Sequence, residues 1–326
     1  MARLWAIIFS LFLITSLSEV YAKNPPPGTG TTDIPANILI MLDNSGSMSG
    51  RLAGAVQIHY PIDVNVDSNG NIYVLEYWNN RIKKFDSSGN YLKSFGGPGS
   101  GCSQWRSARQ FDIKDNIIYI SDTNNFRYVL LDLEGNCYRT QDAGYLLREY
   151  PYAMAVGGGY AWVSSATRIA SHFYPSMQGN SGSNVANSDG RGSFIWGMSF
   201  NRSGSKIAYA NYSKSRVTMK NRSGHQLSGT GQHCSASLPT DTAWDSSGNV
   251  YYTSVSNHAV YKISNFNTCA QTKFVGSWST SSGFRYPYGI EIDSSDNIYV
   301  TDYYNFSIRK YNTSGTETLT VGGSRT

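Results

Sequence analysis

Residues 61–97 read PIDVNVDSNGNIYVLEYWNNRIKKFDSSGNYLKSFGG. Ile62, Val64 and Val66 alternate with polar residues, Ile72–Leu75 is a continuous apolar run, Arg81–Phe85 alternates again, and Tyr91–Phe95 closes before Gly96-Gly97. The joins are DSNGN, WNN and DSSGN, rich in the Gly and Asn that tolerate the positive φ of tight turns. Four short strands with hairpin turns between them predict an up-and-down antiparallel meander.

The same pattern recurs with its phase mark at Pro61, Ala108, Pro151, Ile195, Pro239 and Pro287, at spacings of 47, 43, 44, 44 and 48 residues. A single four-stranded sheet cannot bury both faces until neighbours stack on it. Repeats of this length therefore predict a radial arrangement, an all-β, six-bladed β-propeller over residues 60–323.

Upstream, MARLWAIIFSLFLITSLSEVYA carries an early arginine, an apolar run from Leu4 to Ile14, and short residues before Lys23. This reads as a secretory signal peptide over residues 1–22, too short for a membrane anchor, and predicts a secreted, periplasmic or cell-surface product with no span once the signal is removed. Residues 23–33, KNPPPGTGTTD, have nothing to bury and read as a flexible linker. The formal net charge of +5, from 27 basic and 22 acidic residues, is scattered without runs. That distribution lacks the footprint of a nucleic-acid partner.

Cys102 and Cys234 precede the phase marks of repeats 2 and 5, and Cys137 and Cys269 follow those marks, in each case at matching positions. In an exported chain this pairs Cys102 with Cys137 and Cys234 with Cys269. Strand direction alone puts the partners at opposite ends of a blade, so either the leading loop folds down the blade's side or the thiols stay free.

Residues 34–56 stand outside the repeat. Ile38–Leu42 reads as a strand buried on both faces, and it ends in Asp43-Asn44-Ser45-Gly46-Ser47. A D-x-S-x-S motif after such a strand resembles the opening of a von Willebrand factor A domain, and NILIMLDNSGSM is most similar to that of type IV pilus tip adhesins. The resemblance implies Asp43, Ser45 and Ser47 as ligands of a divalent cation, Mg or Ca, and pilus components among the partners. A whole A domain needs far more chain and a further threonine and aspartate. Either the propeller is inserted after the motif, with the remainder beyond Thr326, or the segment is a vestige; the first is favoured.

From Tyr60 the units resemble the NHL repeat, whose strands read like PIDVNVDSNGNIYV. Repeats 1, 5 and 6 match well and repeats 3 and 4 are degenerate. Repeat 3 is expected to break after Arg168-Ile169, with Ser176–Gly192, rich in Ser, Gly and Asn, as a long loop.

Asn65, Asp67, Asn69, Gly70 and Glu76 approximate a calcium-loop spacing, but the same place in repeats 5 and 6 reads as the ordinary first hairpin turn. Glu76, Asp122 and Asp302 share one position, where they either ring a mouth and bind a cation or accept hydrogen bonds from the following turn. His59, His172, His225, His233 and His258 fall at five different repeat positions, so no metal-binding trio shares a phase. With 24 tyrosines, the chain fits a rigid contact surface for a protein or glycan, and Tyr77, Trp78, Tyr303, Tyr304 and Phe306 are its rim candidates. The expectation is a non-catalytic exported binding or adhesion protein. The alternatives are an exported propeller enzyme of the metal-dependent lactonase or lyase kind, and a periplasmic scaffold.

Overall fold

The structure, a computed structural model, describes residues 56–143, 150–165, 168–173, 185–186, 194–223, 226–277 and 283–323. The signal-like stretch, the linker and the segment with Asp43, Ser45 and Ser47 lie outside the described residues.

The described strands form six four-stranded antiparallel sheets, each meandering in sequence order. Their innermost strands are Pro61–Val66, Phe111–Lys114, Met154–Gly157, Ile195–Phe200, Pro239–Trp244 and Pro287–Ile292. Each contacts the innermost strand of the next sheet, and Pro287–Ile292 returns to Pro61–Val66, which closes the ring of a propeller. Five sheets are complete blades. In the third, the outermost strand is Val185–Ala186 alone. Its third strand runs from Arg168 to Phe173, further than the sequence suggested, and Ile169 pairs with Val185. The expected loop thus contains a short strand, Val185–Ala186.

Burial follows position within the blade. The second strands Ile72–Glu76, Val250–Ser254 and Ile298–Asp302 are buried throughout, because neighbouring blades cover both faces. Each fully buried Ile or Val there contributes roughly 1.5–3 kcal/mol. The outermost strand Tyr91–Gly96 is largely exposed.

No blade combines strands from both ends of the propeller. Blade 1 and blade 6 are each one contiguous stretch, so the ring closes by side-chain packing: Ile58, Val64, Val74 and Phe85 meet Tyr299, Ile308 and Val321 in one core cluster.

In blades 1, 5 and 6 the turn between first and second strands is closed by its own aspartate. Asp67 Oδ1 accepts the N–H groups of Asn69 and Asn71, both at 2.9 Å, and Oδ2 accepts Asn71 Nδ2 at 2.8 Å and the Tyr73 hydroxyl at 3.1 Å. Asp245 and Asp293 bind Asn249 and Asn297 in the same way. The calcium-like spacing is therefore a repeated Asx turn.

Both disulfides join the residues paired from the sequence: Cys102 with Cys137 and Cys234 with Cys269, at Cα separations of 5.7 and 5.3 Å. In the first, the loop ahead of blade 2 folds down the side of the blade. Arg127 holds it there by donating to the carbonyls of Ser100, Gly101 and Gln104 at 2.7–2.9 Å. In the second no loop descends, because Cys234 lies in the long outermost strand of blade 4.

Candidate functional site

One end of the propeller is built from the loops that lead into each first strand and the turns that join second to third strands. A carboxylate at the end of the second strand ties the two together. Glu76 accepts the His59 N–H at 2.8 Å, Asn79 Nδ2 at 2.8 Å and Arg81 Nε at 2.5 Å, with Lys83 at 3.1 Å. Asp122 accepts the Arg106 N–H, Asn125 and Arg127, and Asp302 accepts the Arg285 N–H and Asn305. Burial would raise the Glu76 carboxyl, but its hydrogen bonds and Lys83 hold it below the usual range. Burial pushes Asp122 and Asp302 up against similar bonds. All three accept hydrogen bonds from the following turn, the second of the two roles open to them.

These turns end in the left-handed region at Asn80, Phe126 and Phe306, with φ of 50°, 55° and 54°. The loop residues Tyr60 and Tyr286, just before their first strands, are also left-handed at 48° and 60°. Non-glycine residues held there cost of order 1 kcal/mol or more each.

The five rim candidates meet. Tyr77 packs on Trp78 at 5.0 Å between centroids, Trp78 Nε1 donates to the Tyr303 hydroxyl at 3.0 Å, and Tyr303 packs on Tyr304 at 4.9 Å. Tyr60 joins Tyr303 to Phe306, at 5.1 and 4.9 Å. Tyr303 is buried, whereas Trp78 is 65% exposed and Tyr304 42%.

A second group, missed in the sequence, lies around the axis. Arg109 places its guanidinium carbon 5.5, 5.4 and 5.0 Å from the ring centroids of Tyr77, Tyr152 and Trp196. Trp196 is stacked between Tyr212 and Tyr288 at 4.6 and 5.5 Å, with interplanar angles of 12° and 14°, and Tyr288 reaches Tyr303 at 5.0 Å. The two groups thus form one aromatic layer. Burial pushes the Tyr288 and Tyr303 hydroxyls up to about 12, so both remain neutral. A signal was present: Arg109, Tyr152, Trp196 and Tyr288 all stand one residue after a phase mark. The first strands of blades 4 and 6 are irregular there, a bulge that re-aims a side chain.

Beneath the layer the axis is closed. Gln110 accepts the Met154 and Met198 N–H groups at 2.9 and 3.2 Å and donates to Met198 O and Asp241 Oδ1 at 3.1 and 3.0 Å, linking blades 2 to 5. Asp63 accepts the Phe111 N–H at 2.9 Å and Asp241 the Ile290 N–H at 3.0 Å, each pinning the next blade. Gly289 and Gly197 admit these aspartates: a Cβ on them would lie 2.8 and 2.1 Å from the respective Oδ1 atoms. Burial drives Asp63 up to about 8 and Asp241 well above the ordinary range. A pocket of about 10 Å³ lined by Asp63, Arg109, Gln110, Trp196, Asp241 and Tyr288 lies here.

At the opposite mouth, a cavity of about 220 Å³ is lined by Asn65, Asp112, Lys114, Arg202 and Glu291, among others. Burial raises Asp112 to about 6 and Glu291 well above its usual range. Among the described residues, no three His, Cys, Asp or Glu side chains are grouped to hold a metal ion, and no helix is long and apolar enough to cross a membrane.

The NHL repeat family matches residues 59–85 and 284–311, the first and last blades. No curated protein matches the chain. Solved structures of similar fold include a streptogramin B lyase (TM-score 0.56, 12% identity, 83% of this chain and 86% of that one). A catalytically inactive virginiamycin B lyase from Staphylococcus aureus with quinupristin gives 0.55 at 11% identity over 83% and 87%. An auxiliary nutrient binding protein from Bacteroides thetaiotaomicron gives 0.58 at 13% over 78% and 69%. At these identities the likeness is one of fold, which hosts both catalysis and binding.

Proposed function

We propose that this protein is an exported, non-catalytic binding protein that works as part of a pilus-tip-like surface adhesin, with the aromatic end of the propeller as its contact surface. The observation that carries the reading is the continuous aromatic layer from Trp78 through Tyr303 and Tyr288 to Trp196, with Trp78 standing 65% exposed at its rim. Large exposed aromatic surface is costly in water unless a partner covers it, and Tyr, Trp and Arg dominate the centres of contact surfaces. The two disulfides support an oxidising compartment. Residues at the axis support binding over hydrolysis, since Asp63, Gln110 and Asp241 are each engaged by backbone N–H groups of neighbouring strands. Asp43, Ser45 and Ser47 would hold a divalent cation once the A-like domain is whole. Protein or glycan surfaces and pilus components are the expected partners.

The test is adhesion of beads carrying the intact chain to panels of protein- and glycan-coated surfaces. Trp78→Ala combined with Tyr304→Ala is expected to reduce retention by about tenfold, as loss of an aromatic hot spot does, and Lys114→Ala at the opposite mouth to leave it unchanged. Equal retention by the aromatic double variant moves the contact surface elsewhere. Metal content provides a separate check: loss of a bound cation on Asp43→Ala supports the A-like site, and a cation retained by a chain starting at Tyr60 supports the enzymatic alternative.

A further inference from the structure

Arg109 sits at the centre of the aromatic end, and among the described residues it has no carboxylate partner. Its Nε–H is buried without an acceptor, and its charge faces the rings of Tyr77, Tyr152 and Trp196. A guanidinium so placed has given up part of its hydration for cation–π contact, which returns less than a paired anion supplies. The carboxyls beneath it, Asp63 and Asp241, spend their oxygens on backbone N–H groups of the next blade rather than on the guanidinium, and burial pushes both toward the neutral form.

The surrounding exposed charge is mostly positive. Arg106, Lys214 and Arg285 are exposed in the loops of this end. Among the described residues, the acids at this end are Glu76, Asp122 and Asp302, all buried and already bonded to arginines or asparagines, and Asp142, exposed at the end of the outermost strand of blade 2 opposite Arg127. The aspartates of the other turns, including Asp67, Asp86, Asp132 and Asp293, lie at the opposite end. A field of this polarity draws an anion to the aromatic face.

The shape of the face narrows the chemistry. The pocket beside Arg109, Gln110 and Trp196 holds only about 10 Å³, too little for a sugar ring, so a ligand of that size lies across the surface. The same loops and turns carry amides and hydroxyls such as Asn80, Ser107, Asn124 and Asn257 beside the rings. Exposed aliphatic side chains, which would take peptide anchors, are absent among the described large hydrophobic residues of this end. Aromatic planes interleaved with small polar groups fit pyranose rings, whose C–H faces stack and whose hydroxyls bond.

We infer that the aromatic end recognises an acidic glycan, a chain of pyranose rings bearing carboxylates, with Arg109 receiving a carboxylate and Trp78 carrying a sugar face. This rests on the aromatic end being the contact surface. It is tested by titrating the intact chain with polygalacturonate, its methyl ester, dextran and poly-glutamate. Saturable binding of polygalacturonate is expected, weakened at least about tenfold by methyl esterification and by Arg109→Gln, the loss of one charge-assisted contact. Trp78→Ala, at a position 65% exposed, is expected to weaken it as well, and unchanged thermal melting of both variants keeps the comparison fair. No saturable binding of polygalacturonate, or equal binding of its methyl ester or of dextran, overturns the inference. Poly-glutamate binding as tightly assigns the site to acidic peptides and likewise overturns it. The contact-surface reading itself fails only if Trp78→Ala leaves binding of every ligand on the panel unchanged.

Discussion

Replacing Asp241 with alanine is expected to loosen the ring at its centre. This carboxyl is 4% exposed and accepts the Thr242 N–H at 2.8 Å, Gln110 Nε2 at 3.0 Å and the Ile290 N–H of the next blade at 3.0 Å. Alanine removes the acceptor from two buried backbone donors, at about 1–3 kcal/mol each. Gln110 keeps Met198 O as an acceptor, so its loss is smaller. Relief of the buried carboxyl's desolvation offsets part of the penalty, which leaves a net loss of about 3 kcal/mol. For a domain of this size that lowers the melting temperature by roughly 6–12 °C. Asp241→Asn retains one oxygen but turns an amide toward an N–H donor, so about half the loss is expected. The assay is thermal and urea unfolding of parent and variants at one pH. An Asp241→Ala protein melting within about 2 °C of the parent would refute the idea that this side chain pins blade 5 to blade 6.

Asp63, raised to about 8 by burial, holds a proton in the folded state that the unfolded chain releases near 4. Its stabilising contribution is full below about pH 4 and is lost as pH rises to about 8, with Asp112 adding to the loss up to about 6. Urea midpoints should therefore fall between pH 5 and pH 8.5, and Asp63→Asn should flatten the fall; a rising midpoint contradicts the assignment. Changing both Cys102 and Cys137 to serine opens a cross-link spanning 35 residues and should cost about 4 kcal/mol in the chain-entropy account, read as a matching shift in unfolding free energy. Gly197→Ala would place a methyl 2.1 Å from Asp241 Oδ1 and 2.6 Å from Thr240 O, and a loss of about 1–3 kcal/mol is expected from calorimetry.

The blades were legible because hairpin turns have a local chemistry. Pro61, Ile195, Pro239 and Pro287 open innermost strands, and the Asp-to-Asn turns repeat wherever the sequence repeats. The disulfides were legible for the same reason, since two cysteine positions recur in two repeats. Blade 3 was not, because its outer strand depends on Val185 finding Ile169 across a polar stretch with no turn signature. The rim tyrosines could be named from their loops, but Arg109 and Trp196 could not. Their neighbours come from other blades, and each residue alone looks like the start of a buried strand. The pins Asp63 and Asp241 were hidden too: an aspartate amid apolar residues gives no hint that its acceptor sites face the next repeat.

The way the ring closes also bears on how such a propeller can be carried. Ile58, ahead of the first blade, touches Val321 in the last strand, and Gly322 lies so near that an added Cβ would sit 3.2 Å from Ile58 Cδ1. The chain therefore arrives and departs side by side. A module with this geometry can be spliced into a surface turn of another domain, as a plug fits a socket, without forcing the host's two halves apart. Tension passed through that host would reach the propeller at the seam between its first and last blades, where Tyr60, Tyr303 and Phe306 interlock.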